Sequence, residues 1–285
     1  MEYVELNNGV KMPKLGLGVF RVTDLSEAEE AVYQAIQLGY RLIDTAAAYG
    51  NEEAVGHAIA RSNVPREELF ITSKLWITDT SYEGAQRGLA RSLAKLGLDY
   101  LDLYLIHQPV NDVYGAWRYL SEAYKAGKIR AIGVDNFTQQ KLVDLITFNE
   151  IKPAINMIEA NVFHQRENDL QAMESLGVQM EAWAPFAAGK DTIFEQPLLQ
   201  TIGEKYHKSV AQVILRWFMQ RNIVAIPKTI HTNRMEENLA IFDFVLTDKE
   251  MQQIATLNTG EGYSLPNDAK SFQEVLNNLN RYSVE

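Results

Sequence analysis

Cysteine is absent from the 285-residue chain. Its absence excludes thiol nucleophiles, cysteine-ligated zinc sites and thiol-based redox switching. Long apolar runs are absent too, since none approaches the roughly 20 residues that a membrane-spanning helix needs. The first residues, MEYVELNNGVKMP, have neither the basic n-region nor the apolar h-region of a secretory signal. We therefore expect a cytoplasmic protein with no membrane partner.

Positive charge is in short supply, with 27 lysines and arginines against 37 aspartates and glutamates. The net charge of -10, with no basic patch along the sequence, argues against nucleic acid as a partner. Linkers rich in proline or serine are missing as well, so we expect residues 1–285 to form a single domain. The acidic surface favours a monomer.

What the sequence does contain is a regular alternation of strand-like and helix-like segments. The stretch VELNNGVKM predicts a hairpin that turns at Asn8-Gly9. Amphipathic segments follow, such as SYEGAQRGLARSLAKLGL, in which Leu89, Leu93 and Leu96 share one helix face. Short apolar runs recur between them about every 25–30 residues, as in repeated βα units. The eight runs are LGLGVF, RLIDT, LFITSKL, YLDLYLIH, IRAIGVDNF, PAINMIEAN, GVQMEAWAP and IVAIPKT.

Eight βα units in a chain of this length predict a (β/α)8 TIM barrel, with the N-terminal hairpin capping the barrel bottom. An open, doubly wound sheet is the structural alternative. Its usual dinucleotide fingerprint needs a third glycine, but Gly16 and Gly18 are followed three residues later by Arg21. The GLG stretch is therefore interpreted as tight packing of the first strand.

Polar residues stand where the predicted strands end, which is where a barrel places its chemistry. Asp44 ends the second strand, Lys74 the third and His107 the fourth, and Tyr49 lies in the turn after Asp44. Each residue alone has an ordinary structural explanation: a helix cap, a solvated strand end, a core histidine, a packed tyrosine. Together, on adjacent strands, they place a carboxylate beside an ammonium and near a phenol.

That combination suits the reduction of a carbonyl group. The reference pKa of tyrosine, about 10, is high for an acid that works at neutral pH. We expect Lys74, held by Asp44, to lower the pKa of Tyr49, so that the phenol can donate a proton to a developing alkoxide. His107 would hydrogen-bond the same oxygen. The hydride must come from outside the chain, which points to a nicotinamide cofactor.

These stretches resemble the aldo-keto reductase superfamily in order and in spacing, from residue 4 to about residue 258. The stretches are GYRLIDTAAAYGNEEAVG, ITSKLW, LDLYLIH, GKIRAIGVDNF and IPKTIHTNRMEEN. The closest resemblance is to short bacterial members, the 2,5-diketogluconate reductase-like and small-aldehyde reductases. It implies a catalytic tetrad of Asp44, Tyr49, Lys74 and His107, with NADP(H) bound across the barrel rim.

The resemblance also implies the residues that hold the cofactor. Trp183 falls where the family stacks an aromatic ring on the nicotinamide. Lys228, Thr229 and Arg234 match the grip on the adenosine 2′-phosphate, and Glu237 and Asn238 match the adenine contacts. Two cations and a helix start that converge on one anion favour NADPH over NADH.

Two departures affect the predicted nicotinamide site. Asp135 precedes Asn136 where the family usually has serine, and Met157 replaces the usual glutamine. Methionine accepts almost nothing from an amide N–H, so our hypothesis is that the Asp135 carboxylate takes that role while Asn136 donates to the amide oxygen. A carboxylate near the ring would also favour the oxidised cofactor and make bound NADPH a better hydride donor.

The predicted substrate pocket also departs from the family. Phe20 and Gln108 stand where tryptophan is common, and Trp76 keeps its expected place. These residues predict a pocket that is aromatic on one side and polar on the other, which suits small oxygenated aldehydes, ketones and dicarbonyls. We expect the C-terminal tail, from about residue 260, to border this pocket.

Other functional classes remain as alternatives. A regulatory or sensor relative would bind NADPH on the same fold without catalysis, and would have no need of Lys74 beside Tyr49. A metal-dependent hydrolase would use Asp44 and His107 as ligands, but such sites usually carry paired histidines. Alcohol oxidation differs from the predicted reaction only in direction.

Overall fold

The chain begins with an antiparallel hairpin. Its two strands, β1 (Tyr3–Glu5) and β2 (Lys11–Pro13), pair through Val4 and Met12. Gly9 lies in the turn with φ of 82°, a left-handed conformation that glycine adopts without strain. The predicted hairpin is therefore present, with its turn at Asn8-Gly9.

Eight parallel strands follow and form one sheet that curls around on itself. The computed structural model describes residues 1–189, 192–263, 265–266, 268–282 and 284. The sheet runs in chain order, from first strand to last. Its strands are β3 (Gly16–Gly18), β4 (Leu42–Asp44), β5 (Phe70–Leu75), β6 (Leu101–Ile106), β7 (Ile129–Asp135), β8 (Ile155–Glu159), β9 (Gln179–Trp183) and β10 (Val224–Ala225).

The ends of this sheet meet. The backbone N–H of Ala225 donates to the carbonyl of Lys14 at 2.8 Å, and that of Gly18 donates to the carbonyl of Pro227 at 3.1 Å. These bonds join the chain around β10 to the chain around β3 and leave no open edge between them. The predicted (β/α)8 barrel is confirmed, and the open doubly wound sheet is excluded.

Helices surround the sheet and pack their apolar faces against it. In the helix Tyr82–Leu96, Leu89 and Leu96 are buried and Leu93 is half-buried, as the spacing predicts. Within the described residues, no helix is both long and apolar enough to cross a membrane. The helices are α1 (Leu25–Leu38), α2 (Glu52–Arg61), α3 (Tyr82–Leu96), α4 (Val113–Lys125), α5 (Gln139–Thr147), α6 (Glu167–Leu176), α7 (Pro197–Tyr206), α8 (Val210–Gln220), α9 (Thr232–Leu239), α10 (Asp248–Ala255) and α11 (Ala269–Leu279).

The hairpin closes the N-terminal end of the barrel. Its apolar side chains pack on residues inside the barrel, including Leu42 and Phe70 at the starts of β4 and β5. The Asn7 amide donates to the carbonyls of Pro153 and Gly177 at 2.9 and 3.0 Å, where the chain enters β8 and β9. The hairpin therefore covers the barrel interior at its N-terminal end.

Candidate active site

Four polar side chains meet at the C-terminal mouth of the barrel. Asp44 ends β4, Lys74 is the penultimate residue of β5, and His107 directly follows β6. Tyr49 ends a short 3-10 turn, Ala47–Tyr49, that follows β4. Parallel strands bring their carboxyl ends to one rim, so a spacing of about 30 residues along the chain becomes direct contact.

Lys74 lies at the centre of this group and is fully buried. Its ammonium is 2.5 Å from Asp44 Oδ1 and donates to the carbonyl of Thr45 at 3.0 Å. It also donates to Tyr49 Oη at 3.3 Å. Burial disfavours the charged ammonium, but the neighbouring acidic groups, with Asp44 the strongest among them, outweigh it and raise the pKa of Lys74. The ammonium therefore stays charged and bridges a carboxylate and a phenol.

A buried asparagine fixes the turn that carries Tyr49. The Asn51 amide donates to the carbonyls of Val19 and Val22 at 3.0 and 3.1 Å and accepts from Thr45 Oγ1 at 2.7 Å. Gly50 ends the turn with φ of 69°. These bonds tie the segments after β3 and β4 together, so Tyr49 is held over Lys74 rather than left free in a surface loop.

The pKa of Tyr49 moves opposite to the sequence-based prediction. Burial raises it above its usual value of 10, and the Lys74 ammonium lowers it by less than burial raises it. The prediction that Lys74 would lower the net value is therefore wrong for the free protein, because it left out the cost of burying a phenolate. Tyr49 is a neutral phenol with its proton in place.

His107 is held close to Tyr49 by aromatic packing. Its ring centroid lies 5.7 Å from that of Tyr49 and 5.0 Å from that of Trp76. Burial, reinforced by the Lys74 charge, lowers the pKa of His107 well below its usual range. The imidazole is therefore neutral, with one N–H available to donate to an oxygen in the mouth.

The three predicted substrate residues border this group. Phe20 is half-exposed and lies 4.9 Å from the Tyr49 ring, while Trp76 packs edge-on against His107. Gln108 is buried, and its side-chain oxygen has no partner within the described part of the chain. From the tail, Tyr282 contacts Trp76 at 5.6 Å between ring centroids. Ser264, Asn267, Ser283 and Glu285 of the predicted tail, and Lys190 and Asp191, lie outside the described residues.

Asp135, Asn136, Met157 and Trp183 lie on or directly after β7, β8 and β9. They form a wall of the mouth beside His107, since Asp135 Oδ2 is 3.9 Å from His107 Nε2. Trp183 Nε1 donates to Asn136 Oδ1 at 3.0 Å, which leaves the Asn136 NH₂ group to donate elsewhere. Asp135 pairs with Met157 in the register of β7 and β8. Burial raises the pKa of Asp135 well above its usual range, which favours the protonated acid in the free protein. The hypothesis that its carboxylate accepts from the nicotinamide amide concerns the cofactor-bound protein and stays a prediction.

The predicted phosphate and adenine contacts lie after β10 and on α9. A backbone bridge between Lys228 and Gly18 places Lys228 at the same rim as β3. Lys228 and Arg234 are exposed, and neither forms an ion pair with another described residue. The predicted adenine contacts are already engaged: Glu237 accepts from Ser209 Oγ, and Asn238 is buried and hydrogen-bonds Tyr40. Thr229 Oγ1 accepts from the backbone N–H of His231 at 3.1 Å.

Sequence reasoning missed one buried acid in this region. Glu181 is fully buried inside the barrel, two residues before Trp183 on β9, and among the described residues neither of its carboxyl oxygens has a partner. Burial raises the pKa of Glu181 well above its usual range. Strand alternation carries the signal, since Glu181 must share the inward face of Trp183.

The residues of this rim fit a nicotinamide dinucleotide. Trp183 offers an aromatic ring, and the Asn136 NH₂ group and Asp135 Oδ1, which has no hydrogen bond among the described residues, offer polar atoms beside it. Lys228 and Arg234 are exposed cations that form no ion pair with another described residue. A metal fits less well, because no cluster of three or more histidine, aspartate and glutamate side chains within the described residues could hold one.

The chain is similar to known oxidoreductases over most of its length. Residues 14–259 match the model of the Aldo/keto reductase family. A glyoxal reductase of Bacillus subtilis (strain 168) is 50% identical over 262 residues, which cover 90% of this chain and 93% of that protein. The methylglyoxal reductase DkgA of Escherichia coli (strain K12) is 41% identical over 262 residues, covering 90% and 94%.

A solved structure extends the similarity to the fold. The aldo-keto reductase of Bombyx mori in complex with NADP has a TM-score of 0.88 and 36% sequence identity. The alignment covers 92% of this chain and 94% of that one. The fold is thus shared over most of the chain with a protein whose structure was solved in complex with NADP.

Proposed function

The chain belongs to the aldo/keto reductase family, and we propose that it reduces small aldehydes, ketones or dicarbonyls to alcohols with NADPH as the hydride donor. One observation carries the assignment: the buried Lys74 ammonium contacts both Asp44 Oδ1 and Tyr49 Oη, at 2.5 and 3.3 Å, at the mouth of the barrel. A protein that only bound the nucleotide would have no need of a charged lysine against a neutral phenol.

In this proposal, Tyr49 and His107 hold the carbonyl oxygen between them. When bound, NADPH would supply a hydride to the carbonyl carbon, and the electron pair of the C=O π bond would move to the oxygen. The Tyr49 O–H and the neutral His107 N–H donate to that oxygen as its charge develops. Tyr49 then transfers its proton to the alkoxide, and a proton from solvent restores the phenol.

Lys74 and Asp44 make this transfer easier. As Tyr49 loses its proton, a phenolate forms in a buried site, where an uncompensated charge is costly. The Lys74 ammonium lies within hydrogen-bonding distance of the phenolic oxygen and stabilises the phenolate. Asp44 holds the ammonium in place, so the stabilising charge is already oriented before the reaction begins.

The two exposed cations after β10 and on α9 account for the proposed preference for NADPH over NADH. Lys228 and Arg234 are exposed and unpaired with other described side chains, so both can contact a 2′-phosphate. Thr229 can add a hydroxyl contact. Trp183 would stack on the nicotinamide, and the Asn136 NH₂ group, which the bond to Trp183 leaves unused, would donate to its carboxamide.

The proposed substrate class rests on the residues around Tyr49 and His107 and on the relatives. Phe20 and Trp76 flank Tyr49 and His107 with aromatic rings, and the unpartnered Gln108 oxygen adds a polar wall. Glyoxal and methylglyoxal, the substrates named for the relatives that are 50% and 41% identical, are small dicarbonyls that fit this environment.

The test is NADPH oxidation with glyoxal, methylglyoxal and short aldehydes, with wild type beside Tyr49→Phe. We expect wild-type turnover, and a kcat about 100- to 10,000-fold lower in Tyr49→Phe, because the proton donor is lost. NADPH binding, followed by protein fluorescence, should be unchanged. Tight NADPH binding with no turnover of any carbonyl would contradict the proposal and favour a non-catalytic sensor.

A further inference from the structure

The interior of the barrel holds more buried acids than cations. Asp44, Asp135 and Glu181 are 1%, 2% and 0% exposed, and all lie on strands that line the mouth. Among the described residues, Lys74 is the charged base buried with them. One ammonium can compensate one carboxylate, so at most one of the three acids is ionised without a large cost of burial.

The Lys74 ammonium forms its ion pair with Asp44, since Nζ lies 2.5 Å from Oδ1. Asp135 has no comparable partner: its Oδ2 is 3.9 Å from His107 Nε2, and within the described part of the chain its Oδ1 has no hydrogen bond. The titratable groups that act on it from the surrounding elements are Lys74, Asp44, Tyr49, His107, Glu181 and Tyr263. Lys74 is the cation in this set. Asp135 is therefore a neutral acid in the free protein.

Hydride transfer requires that the donor carbon touch the carbonyl carbon. A carbonyl held by Tyr49 and His107 lies beside the wall that contains Asp135, because Asp135 Oδ2 is 3.9 Å from His107 Nε2. The Trp183 ring and the Asn136 amide form the rest of that wall. A nicotinamide ring that contacts this carbonyl therefore also lies close to the Asp135 side chain.

Resting on the proposed function, we infer that Asp135 is the counter-ion of the oxidised nicotinamide: it carries a proton in the free protein and in the NADPH complex, and releases it when the cationic ring of NADP⁺ binds. The reduced ring is neutral, so it does not stabilise a carboxylate beside it, and Asp135 stays protonated. The oxidised ring carries a positive charge, so a carboxylate beside it gains a partner in a buried site. The proton leaves to solvent, and no other bond changes.

Two measurable effects follow. NADP⁺ affinity should rise with pH, up to tenfold per pH unit while Asp135 in the free protein stays protonated, since one proton is released per molecule bound. NADPH affinity should lack this dependence. The 2′-phosphate, which titrates near pH ~6, is common to both nucleotides, so the difference between the two cancels its contribution.

The experiment is isothermal titration calorimetry of NADP⁺ and NADPH at pH 7, in buffers with different ionisation enthalpies. The heat as a function of buffer enthalpy gives the number of protons released. We expect NADP⁺ to release close to one proton more than NADPH from wild type. The difference should vanish in Asp135→Asn and in Asp135→Ser, which both remove the acid.

Glu181→Gln is the matched control, because it removes another buried acid of the same barrel without touching Asp135. We expect it to keep the wild-type difference. Equal proton release for both nucleotides in wild type would overturn the role of Asp135 while leaving the proposed function intact, and so would loss of the difference in Glu181→Gln instead of Asp135→Asn. Failure of wild type to bind either nucleotide would overturn the proposed function as well.

Discussion

Two buried aspartates at opposite ends of the barrel differ in how they are satisfied. Asp102, near the N-terminal ends of the strands, is fully buried, and both of its oxygens are bonded. Arg66 and Arg130 lie 2.7 and 2.6 Å away, and the Ile71 N–H donates at 2.9 Å. Asp135, at the mouth, has one unpartnered oxygen within the described residues. The hydrogen bonds of Asp102 stabilise the fold, whereas Asp135 keeps an oxygen that a bound ligand could contact.

The same contrast extends beyond these two residues. At the bottom, Asn7 and Asn8 of the hairpin donate to backbone carbonyls of the barrel. At the mouth, buried polar atoms of Trp76, His107 and Gln108 have no partner among the described residues. An unsatisfied buried group costs about 1–3 kcal/mol. Several such groups at one rim indicate that this end of the barrel is built for a bound ligand rather than for stability.

The largest effect should come from removing the charge at the mouth. We expect Lys74→Met to lower kcat about 100- to 10,000-fold, because Tyr49 loses the ammonium that stabilises its phenolate. The variant should also lose about 3–5 kcal/mol of unfolding free energy, because Asp44 is left as a buried acid without a partner. Steady-state kinetics and urea unfolding measure the two effects.

A double variant separates them. Lys74→Met with Asp44→Leu replaces the ion pair with apolar side chains, so stability should largely return while turnover stays lost. Recovery of turnover in the double variant would contradict the role assigned to the Lys74 charge.

Removing the charge at the bottom should have the opposite profile. We expect Asp102→Asn to lower the unfolding free energy by about 1–3 kcal/mol, because hydrogen bonds to Arg66 and Arg130 are lost from a buried site. The kcat of the folded protein should be unchanged, since Asp102 lies far from the mouth along the strands. A lower kcat with unchanged stability in Asp102→Asn would contradict the view that the bottom of the barrel serves stability and the mouth serves catalysis.

A smaller effect is expected at the outer part of the rim. Lys228→Ala should weaken NADPH binding by about 1.5–3 kcal/mol, roughly tenfold to a hundredfold, through the loss of a charge-assisted contact with the 2′-phosphate. NADH has no such phosphate, so its affinity should not change. Lys125→Ala, which removes a surface lysine paired with Glu150, is the matched control. Equal losses for both nucleotides would contradict the phosphate contact.

The barrel and the position of its polar residues could be predicted from the sequence, because both follow from local rules. The spacing of apolar runs predicts eight βα units, and residues that end adjacent strands must share one rim. Asp44, Lys74 and His107 meet for this reason, and Tyr49 joins them through a short turn.

The electrostatics could not be predicted in the same way. The direction of the Tyr49 pKa depends on the balance between burial and the Lys74 charge, and burial is set by the packed barrel. The neutral state of Asp135 likewise follows from the commitment of Lys74 to Asp44. The pKa directions of Tyr49 and Asp135 therefore depend on several strands at once. The inward direction of Glu181 does not, since strand alternation beside Trp183 already indicates it.

The most direct test of this contrast compares Asp135→Asn with Asp102→Asn by urea unfolding at pH 7 and pH 4. The pKa of Asp135 is raised in the folded protein, so above the unfolded value of about 3.9 the unfolded chain ionises while the folded protein keeps its proton. That difference destabilises the wild type as pH rises. We therefore predict that Asp135→Asn is more stable than wild type at pH 7, with the gain vanishing near pH 4, while Asp102→Asn is less stable at pH 7. Destabilisation of both variants at pH 7 would contradict the account, because Asp135 would then be a structural residue like Asp102.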